Sequence, residues 1–225
     1  MSGIVGVVSL GCAKNRVDSE RMLGLLVKAG FTLTDTPSKA DILIVNTCGF
    51  IEPAKQESIN TILEMAQYKK QGRCRLLVVT GCLSERYRGE LAEALPEADL
   101  LLGVREYDRL PALLIEALRT QGEPFAAVKE RIPTLCAEPR VLTTPPYSAY
   151  LRIGDGCSNR CAYCAIPLIR GPLVSEPMEK LWDEARALAD AGVSELNVIA
   201  QDTSGYGKDL YGAPQLIPLL KGLDR

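Results

Sequence analysis

The sequence predicts an α/β protein: an N-terminal parallel-sheet domain followed by the first βα units of a second domain. Three observations predict it. Short, branched apolar runs alternate with helix-length amphipathic segments through the first 119 residues. A proline-rich stretch then breaks the pattern. A new strand–helix alternation begins near residue 149. Alternation of this kind builds a mostly parallel sheet covered on both faces. The 225 residues suit one large domain or two small ones. The expected boundaries are residues 1–120, a linker over 121–147, and a second domain over 148–225.

The elements follow in order. I-V-G-V-V-S (4–9) is a buried strand. Residues 16–29 carry Met22, Leu23, Leu25, Leu26 and Ala29 at helical spacing, and Gly30 stops them. D-I-L-I-V-N (41–46) is the second strand. Residues 53–69 form a helix with Pro53 in its first turn and Ile59, Ile62, Leu63 and Ala66 as its apolar face. R-L-L-V-V-T (75–80) is the third strand, and a helix follows near 84–94. A-D-L-L-L-G-V (98–104) is the fourth strand, and residues 107–119 form a closing helix. Five prolines between 124 and 146 mark the linker, with a short strand at F-A-A-V. Beyond it come a strand at 149–153, a cysteine-rich loop and a helix near 177–191. A strand at 195–200, a Gly/Asp loop and an apolar stretch at 215–223 complete the chain. A βαβα unit of about 80 residues leaves one sheet edge unpaired, so the second domain is expected to be incomplete.

Hydrophobic residues at 47% and charged residues at 24% are ordinary for a globular chain. The net charge of −2 argues against a protein built mainly to bind nucleic acid. The absence of histidine excludes a Ser-His-Asp triad, a Cys-His pair, a His-ligated zinc and a histidine base together. No apolar run approaches the roughly 18–20 residues that span a bilayer. The N-terminal apolar run lacks a basic start and does not read as a signal peptide. A cytoplasmic location is expected, where thiols stay reduced. Eight cysteines are too few for a disulfide scaffold of this length, and tight local spacing favours metal ligation.

Two groups of cysteines stand out. Cys12, Cys48 and Cys82 each lie two or three residues beyond a strand, one strand–helix repeat apart. Parallel strands share one carboxyl edge, where open α/β folds bind ligands. Gly11, Gly49 and Gly81 beside them permit close backbone approach. Any one of these cysteines also reads as a small buried hydrophobe. Three in the same structural slot read better as converging ligands. The second group is Cys157, Cys161 and Cys164 in G-D-G-C-S-N-R-C-A-Y-C. Three close thiolates with no histidine or fourth nearby cysteine suit an iron–sulfur cluster with one open iron. A zinc site completed by a carboxylate such as Asp155, or a plain loop, are the alternatives.

C-x3-C-x2-C with Tyr163 before the last cysteine resembles the radical S-adenosylmethionine signature. Joined to the first three cysteines, it is similar to the radical S-adenosylmethionine methylthiotransferases. S-L-G-C-A-K-N-R-V-D-S-E, N-T-C-G-F-I-E-P-A-K-Q-E-S-I and V-I-A-Q-D-T-S-G-Y-G resemble the RimO-type members, which modify an aspartate of a small-subunit ribosomal protein. The resemblance runs over essentially the whole chain. It implies an N-terminal methylthiotransferase domain followed by the start of a radical S-adenosylmethionine partial TIM barrel. It also implies two [4Fe–4S] clusters. Cys157, Cys161 and Cys164 would hold the one whose open iron binds S-adenosylmethionine, with Tyr163 near the adenine. Cys12, Cys48 and Cys82 would hold an auxiliary cluster that handles the inserted sulfur. The family's full length adds the rest of the barrel and a TRAM domain. The implied partners are the ribosomal-protein substrate, an electron donor and a sulfur source, with no membrane and no direct nucleic-acid contact. Two departures are local. Val174, Ser175, Glu176 and Pro177 stand where the family usually has R-S-R-P, so any anion contact by those arginines is weakened. Ala13 replaces a usual proline.

The implied target is an unactivated C–H at an aspartate β-carbon. No side-chain base removes that proton readily, so a cofactor-borne radical is the fitting route, with the protein positioning it. A tRNA adenosine methylthiotransferase is the alternative substrate reading, and the acidic chain and the A-Q-D-T loop weigh against it. A cluster-binding chain without turnover is the alternative of a different class. Gln201 and Asp202, at the end of a barrel strand with Thr203, fall on the face where cofactor or substrate binds. Asn15 or Asp18 near a helix start reads as a cap, with Asn15 also able to bond cluster sulfur. Lys69–Lys70 and Arg86/Arg88 read as solvated helix surface. Cys74, in a turn before a strand, and Cys136, in the linker, read as incidental.

Overall fold

The computed structural model describes residues 3–119, the backbone of residues 125–126, and residues 140–224. The chain divides into two compact units, the first reaching Val141 and the second beginning at Leu142.

In the first unit, β1 (Ile4–Ser9) leads into α1 (Ala13–Lys28), followed by β2 (Thr32–Leu33) and β3 (Ile42–Thr47). Next come α2 (Glu52–Ala66), α3 (Tyr68–Gln71), β4 (Leu76–Gly81), α4 (Cys82–Ala94), β5 (Leu100–Leu101), α5 (Leu110–Arg119) and β6 (Phe125–Ala126). The strands form one sheet in the order β2-β1-β3-β4-β5-β6, with every pairing parallel. Alternate residues of each strand feed opposite faces, as the pleat requires. Ile42 and Ile44 pack with Met22, Leu26, Leu110 and Leu114 of α1 and α5. Leu43 and Val45 pack with Ile62, Met65, Leu83 and Leu91 of α2 and α4. Both faces are therefore apolar, which explains why β3 and β4 are buried along their whole length.

The register aligns the strand ends. Ser9 pairs with Asn46, and Asn46 pairs with Thr80. The chain thus leaves β1, β3 and β4 from one row, with Cys12 three residues on and Cys48 and Cys82 two residues on.

The second unit opens with β7 (Ser148–Arg152) and β8 (Gly154–Asp155), then α6 (Ile166–Ile169) and β9 (Val174–Ser175). It continues with α7 (Met178–Asp190), β10 (Glu195–Ile199), α8 (Lys208–Tyr211) and α9 (Leu216–Leu223). β7 and β10 pair in parallel, and β8 and β9 pair antiparallel. Leu151 and Ile153 meet Leu181 and Ala185 of α7, Tyr206 and Leu219 in one core.

Several elements differ from the sequence reading. The fourth strand was expected over 98–104 and spans Leu100–Leu101. Beyond it, carboxylates replace a ladder: Glu106 accepts from the Gly103 N–H at 2.8 Å and Glu85 from the Val104 N–H at 3.0 Å. The helix expected over 53–69 ends at Ala66, and α3 follows as a separate turn. β2 went unread because two residues carry no alternation. In the cysteine loop, β8, α6 and β9 are too short to show a period. Of the F-A-A-V strand, Phe125–Ala126 pairs with β5, and its remainder lies outside the described residues.

Candidate iron–sulfur sites

The first site is built at the carboxyl edge of the parallel sheet. Cys12 caps α1 with extended backbone and is exposed. Cys48 is half-buried just past β3, and Cys82 is the buried first residue of α4. The three turns touch. A Cβ on Gly11 would lie 2.8 Å from Cys48 Cβ and 3.1 Å from its Sγ. A Cβ on Gly49 would lie 2.7 Å from Leu83 Cα and 3.1 Å from the Cys82 carbonyl carbon. Gly81, at φ +98°, turns the chain from β4 into α4, and a side chain there would collide with Asn46 Oδ1 and the Thr47 carbonyl. A residue with a Cβ is excluded on both conformational and steric grounds.

Polar bonds fix these turns. Ser58 Oγ accepts from the Cys48 N–H and donates to the Cys48 carbonyl, both at 3.0 Å. Asn15, fully buried, donates through Nδ2 to the Leu10 carbonyl at 3.1 Å and the Thr47 carbonyl at 2.8 Å. Its Oδ1 accepts from the Cys82 thiol at 3.5 Å. Asn46 Nδ2 donates to the Asn15 carbonyl at 2.8 Å. The capping role expected for Asn15 or Asp18 is therefore corrected. The N-cap position of α1 is Cys12, whose side chain makes no capping bond, and Asn15 bridges strand ends.

The second site lies on the loop after β8. Cys157 N–H donates to the Gly171 carbonyl at 3.1 Å, and Cys164 N–H donates to the Cys161 carbonyl at 3.0 Å. Cys157 and Cys164 are half-buried and Cys161 is exposed. Arg160, between the first two cysteines, is the one non-glycine residue at positive φ (+50°) among the described residues. Tyr163 stands 88% exposed beside Cys164. Behind the loop sits Asp155. Arg170 donates to both its oxygens at 3.2 and 3.1 Å, Gln201 Nε2 to Oδ1 at 2.7 Å, and the Gly156 N–H to Oδ1 at 3.0 Å. Burial alone raises the pKa of this carboxyl. The Arg170 and Arg152 guanidiniums, with the Gln201 and Gly156 bonds, outweigh burial and hold it down at about 2.

A cleft of about 260 Å³ opens beside the cysteine loop, lined by Cys157, Ser158, Asn159, Asp202, Lys208 and Asp209 among others. Asn159 Nδ2 donates to Asp202 at 2.8 Å, tying the loop to the end of β10. The Ser204 hydroxyl bond first, and then the Asn159 bond, lower the Asp202 pKa. Asp202 thus faces the cleft. Gln201 turns away into the Asp155 cage, with its Oε1 buried and lacking a hydrogen-bond partner. Glu176 is buried. Its carbonyl accepts from Tyr206 Oη at 2.7 Å.

Other expectations need correction. Lys69 pairs with Asp99 at 2.7 Å, Arg88 pairs with buried Glu106, and Arg86 donates to the Gly49 carbonyl at 3.2 Å. Lys69 and Arg88 are thus tied into ion pairs, while Lys70 and Arg86 are exposed, as the surface reading expects. Cys74 is buried in the core beneath α2 and α4, and its thiol donates to the Leu76 carbonyl at 3.4 Å. Cys136 lies outside the described residues. Sequence reasoning missed Arg152, Arg170 and the bridging role of Asn15. Arg152 had a signal, a cation in the middle of an apolar strand.

The donor chemistry fits iron–sulfur clusters. Both sites offer thiols without imidazole, the donor set that such clusters use. Among the described residues no three cysteine or carboxylate side chains close on one point as a single ion needs. A cluster takes each thiolate on a different iron, so its ligands stand further apart. The Asp155 oxygens are already occupied by Arg170, Gln201 and Gly156, which removes that residue as a fourth zinc ligand. No helix among the described residues is long and apolar enough to cross a membrane.

Residues 5–103 match the family described as "Uncharacterized protein family UPF0004". The chain is 50% identical over 219 residues to "Ribosomal protein uS12 methylthiotransferase RimO" of Clostridium perfringens (strain SM101 / Type A), covering 97% of this chain and 49% of that protein. It is 49% identical over 225 residues to the like-named protein of Geotalea uraniireducens, with the same coverage. To that of Symbiobacterium thermophilum it is 51% identical over 219 residues, covering 97% of this chain and 45% of that one. The chain thus spans about half the length of the curated relatives it matches. In fold it is similar to the radical S-adenosylmethionine methyltransferase TsrM of Kitasatospora setae, solved with cobalamin and a [4Fe-4S] cluster. That likeness has a TM-score of 0.60 at 12% identity, covering 98% of this chain and 52% of that one.

Proposed function

We propose, from the premise that the chain belongs with the RimO-named methylthiotransferases it matches at about half its positions, that it carries the two cluster sites of such an enzyme. The reaction is methylthiolation of the β-carbon of an aspartate in small-subunit ribosomal protein uS12. Cys157, Cys161 and Cys164 hold one [4Fe–4S] cluster, and Cys12, Cys48 and Cys82 hold the other. When bound, the first cluster with S-adenosylmethionine supplies hydrogen abstraction from an unactivated carbon, and the second supplies sulfur. A ribosomal-protein substrate places the reaction in the cytoplasm.

The chain's own residues divide the remaining work. Gly11, Gly49 and Gly81 let three cysteine-bearing turns approach one another. The Asp155 cage anchors the loop that carries Cys157, Cys161 and Cys164. The cleft beside that loop, with Asp202 on its wall, would take S-adenosylmethionine, with exposed Tyr163 near the adenine. Gln201 serves the same cofactor from behind, by fixing Asp155.

The observation that carries this reading is the placement of two histidine-free cysteine triads, each set by tight backbone contacts. The test is anaerobic incubation of the reconstituted chain with S-adenosylmethionine, a reductant and either uS12 or tRNA. Release of 5′-deoxyadenosine and methylthiolation of uS12 are expected. Modification of tRNA alone would reassign the substrate. Loaded clusters with neither product would mean a chain that binds clusters without turnover.

A further inference from the structure

We infer that Asn15 is the positioning residue of the first cluster site, tying the turns that carry Cys12 and Cys48 together beside Cys82 at the spacing a cluster requires. The inference rests on the reading that these cysteines are cluster ligands. It assigns a role to a residue that ligates nothing itself.

Asn15 stands three residues after Cys12, at the start of α1. From there its amide reaches all three strand ends. Nδ2 donates to the carbonyl of Leu10, in the turn that leads to Cys12, at 3.1 Å. It donates again at 2.8 Å to the carbonyl of Thr47, the residue before Cys48. Oδ1 lies 3.5 Å from Cys82 Sγ and accepts its proton in the thiol form; ligation removes that proton, so the two Nδ2 bonds carry the positioning in the loaded site. The group is wholly buried, so water cannot replace these bonds. The residue is itself held: Asn46 Nδ2 donates to the Asn15 carbonyl at 2.8 Å and to Ser19 Oγ at 2.9 Å. A planar amide with two donors and one acceptor fits this arrangement. Alanine offers none of the three bonds. Aspartate has the same shape but lacks both donors and would set a carboxylate against two carbonyls.

The experiment compares wild type, Asn15→Ala and Asn15→Asp in the full chain. Each is reconstituted anaerobically, then assayed for iron and acid-labile sulfide and by electron paramagnetic resonance of the reduced protein. The wild type is expected to load both sites. Both variants are expected to lose about half their iron, with the signal of the Cys157–Cys161–Cys164 cluster unchanged. The retained cluster is the folding control. Adding Asn15→Ala to a chain that lacks the second cysteine triad should remove the remaining iron or shift its reduction potential. Full iron with unchanged spectra and potential in both variants would overturn the role. So would equal loss at both sites, since Asn15 would then act on the folding of the whole chain. A wild type that loads no cluster at the first site would instead reject the underlying reading, which separates the two failures.

Discussion

Asp155 is the residue whose surroundings are most demanding. It is buried between Arg170 and Arg152, with side-chain distances of 3.1 and 4.0 Å. Breaking a buried pair by removing one partner costs about 3–5 kcal/mol, because the remaining charge is left uncompensated. Asp155→Asn keeps the shape and removes the charge. A loss of that order is expected in urea unfolding followed by Trp182, the single tryptophan, which lies in the same unit. Cys74 gives a pH prediction. Burial raises its thiol pKa above the ordinary 9.0. The folded chain then holds this proton more tightly than the unfolded chain. The contribution is fully present below about pH 9 and declines as pH rises toward the folded value. Cys74→Ala removes that dependence, so the stability gap between wild type and variant should narrow between about pH 8 and 10. The six cysteines were legible because their spacing is local or repeats with the βα unit. Asn15 was not, because its partners at Thr47 and Cys82 are distant in sequence.

At the scale of elements, the site depends on how strands end and helices begin. α4 starts at Cys82 itself, because Gly81 takes a conformation closed to other residues. The β5 end is held by Glu85 and Glu106 carboxylates, which is why the apolar run 98–104 yields so short a strand. Long apolar strands and amphipathic helices were readable from period alone. Two-residue strands and single-turn helices were not, since they follow tertiary contacts. α9 packs on α7 through Gly222, where an added methyl would collide with the Trp182 indole. Overpacking of this kind typically costs about 1–3 kcal/mol. Gly222→Ala should lower the unfolding midpoint of the second unit and alter Trp182 emission, with the first unit unaffected.

The whole molecule pairs two units, each with one cysteine triad and no histidine. The topology made this division legible: a parallel sheet brings its carboxyl ends together without help from sequence proximity. The decisive measurement is iron, zinc and acid-labile sulfide in two reciprocal variants, one lacking Cys12, Cys48 and Cys82 and the other lacking Cys157, Cys161 and Cys164. Wild type should hold about eight irons, and each variant about four with matching sulfide. Stoichiometric zinc without sulfide, or loss of all iron from either variant, would contradict two independent clusters.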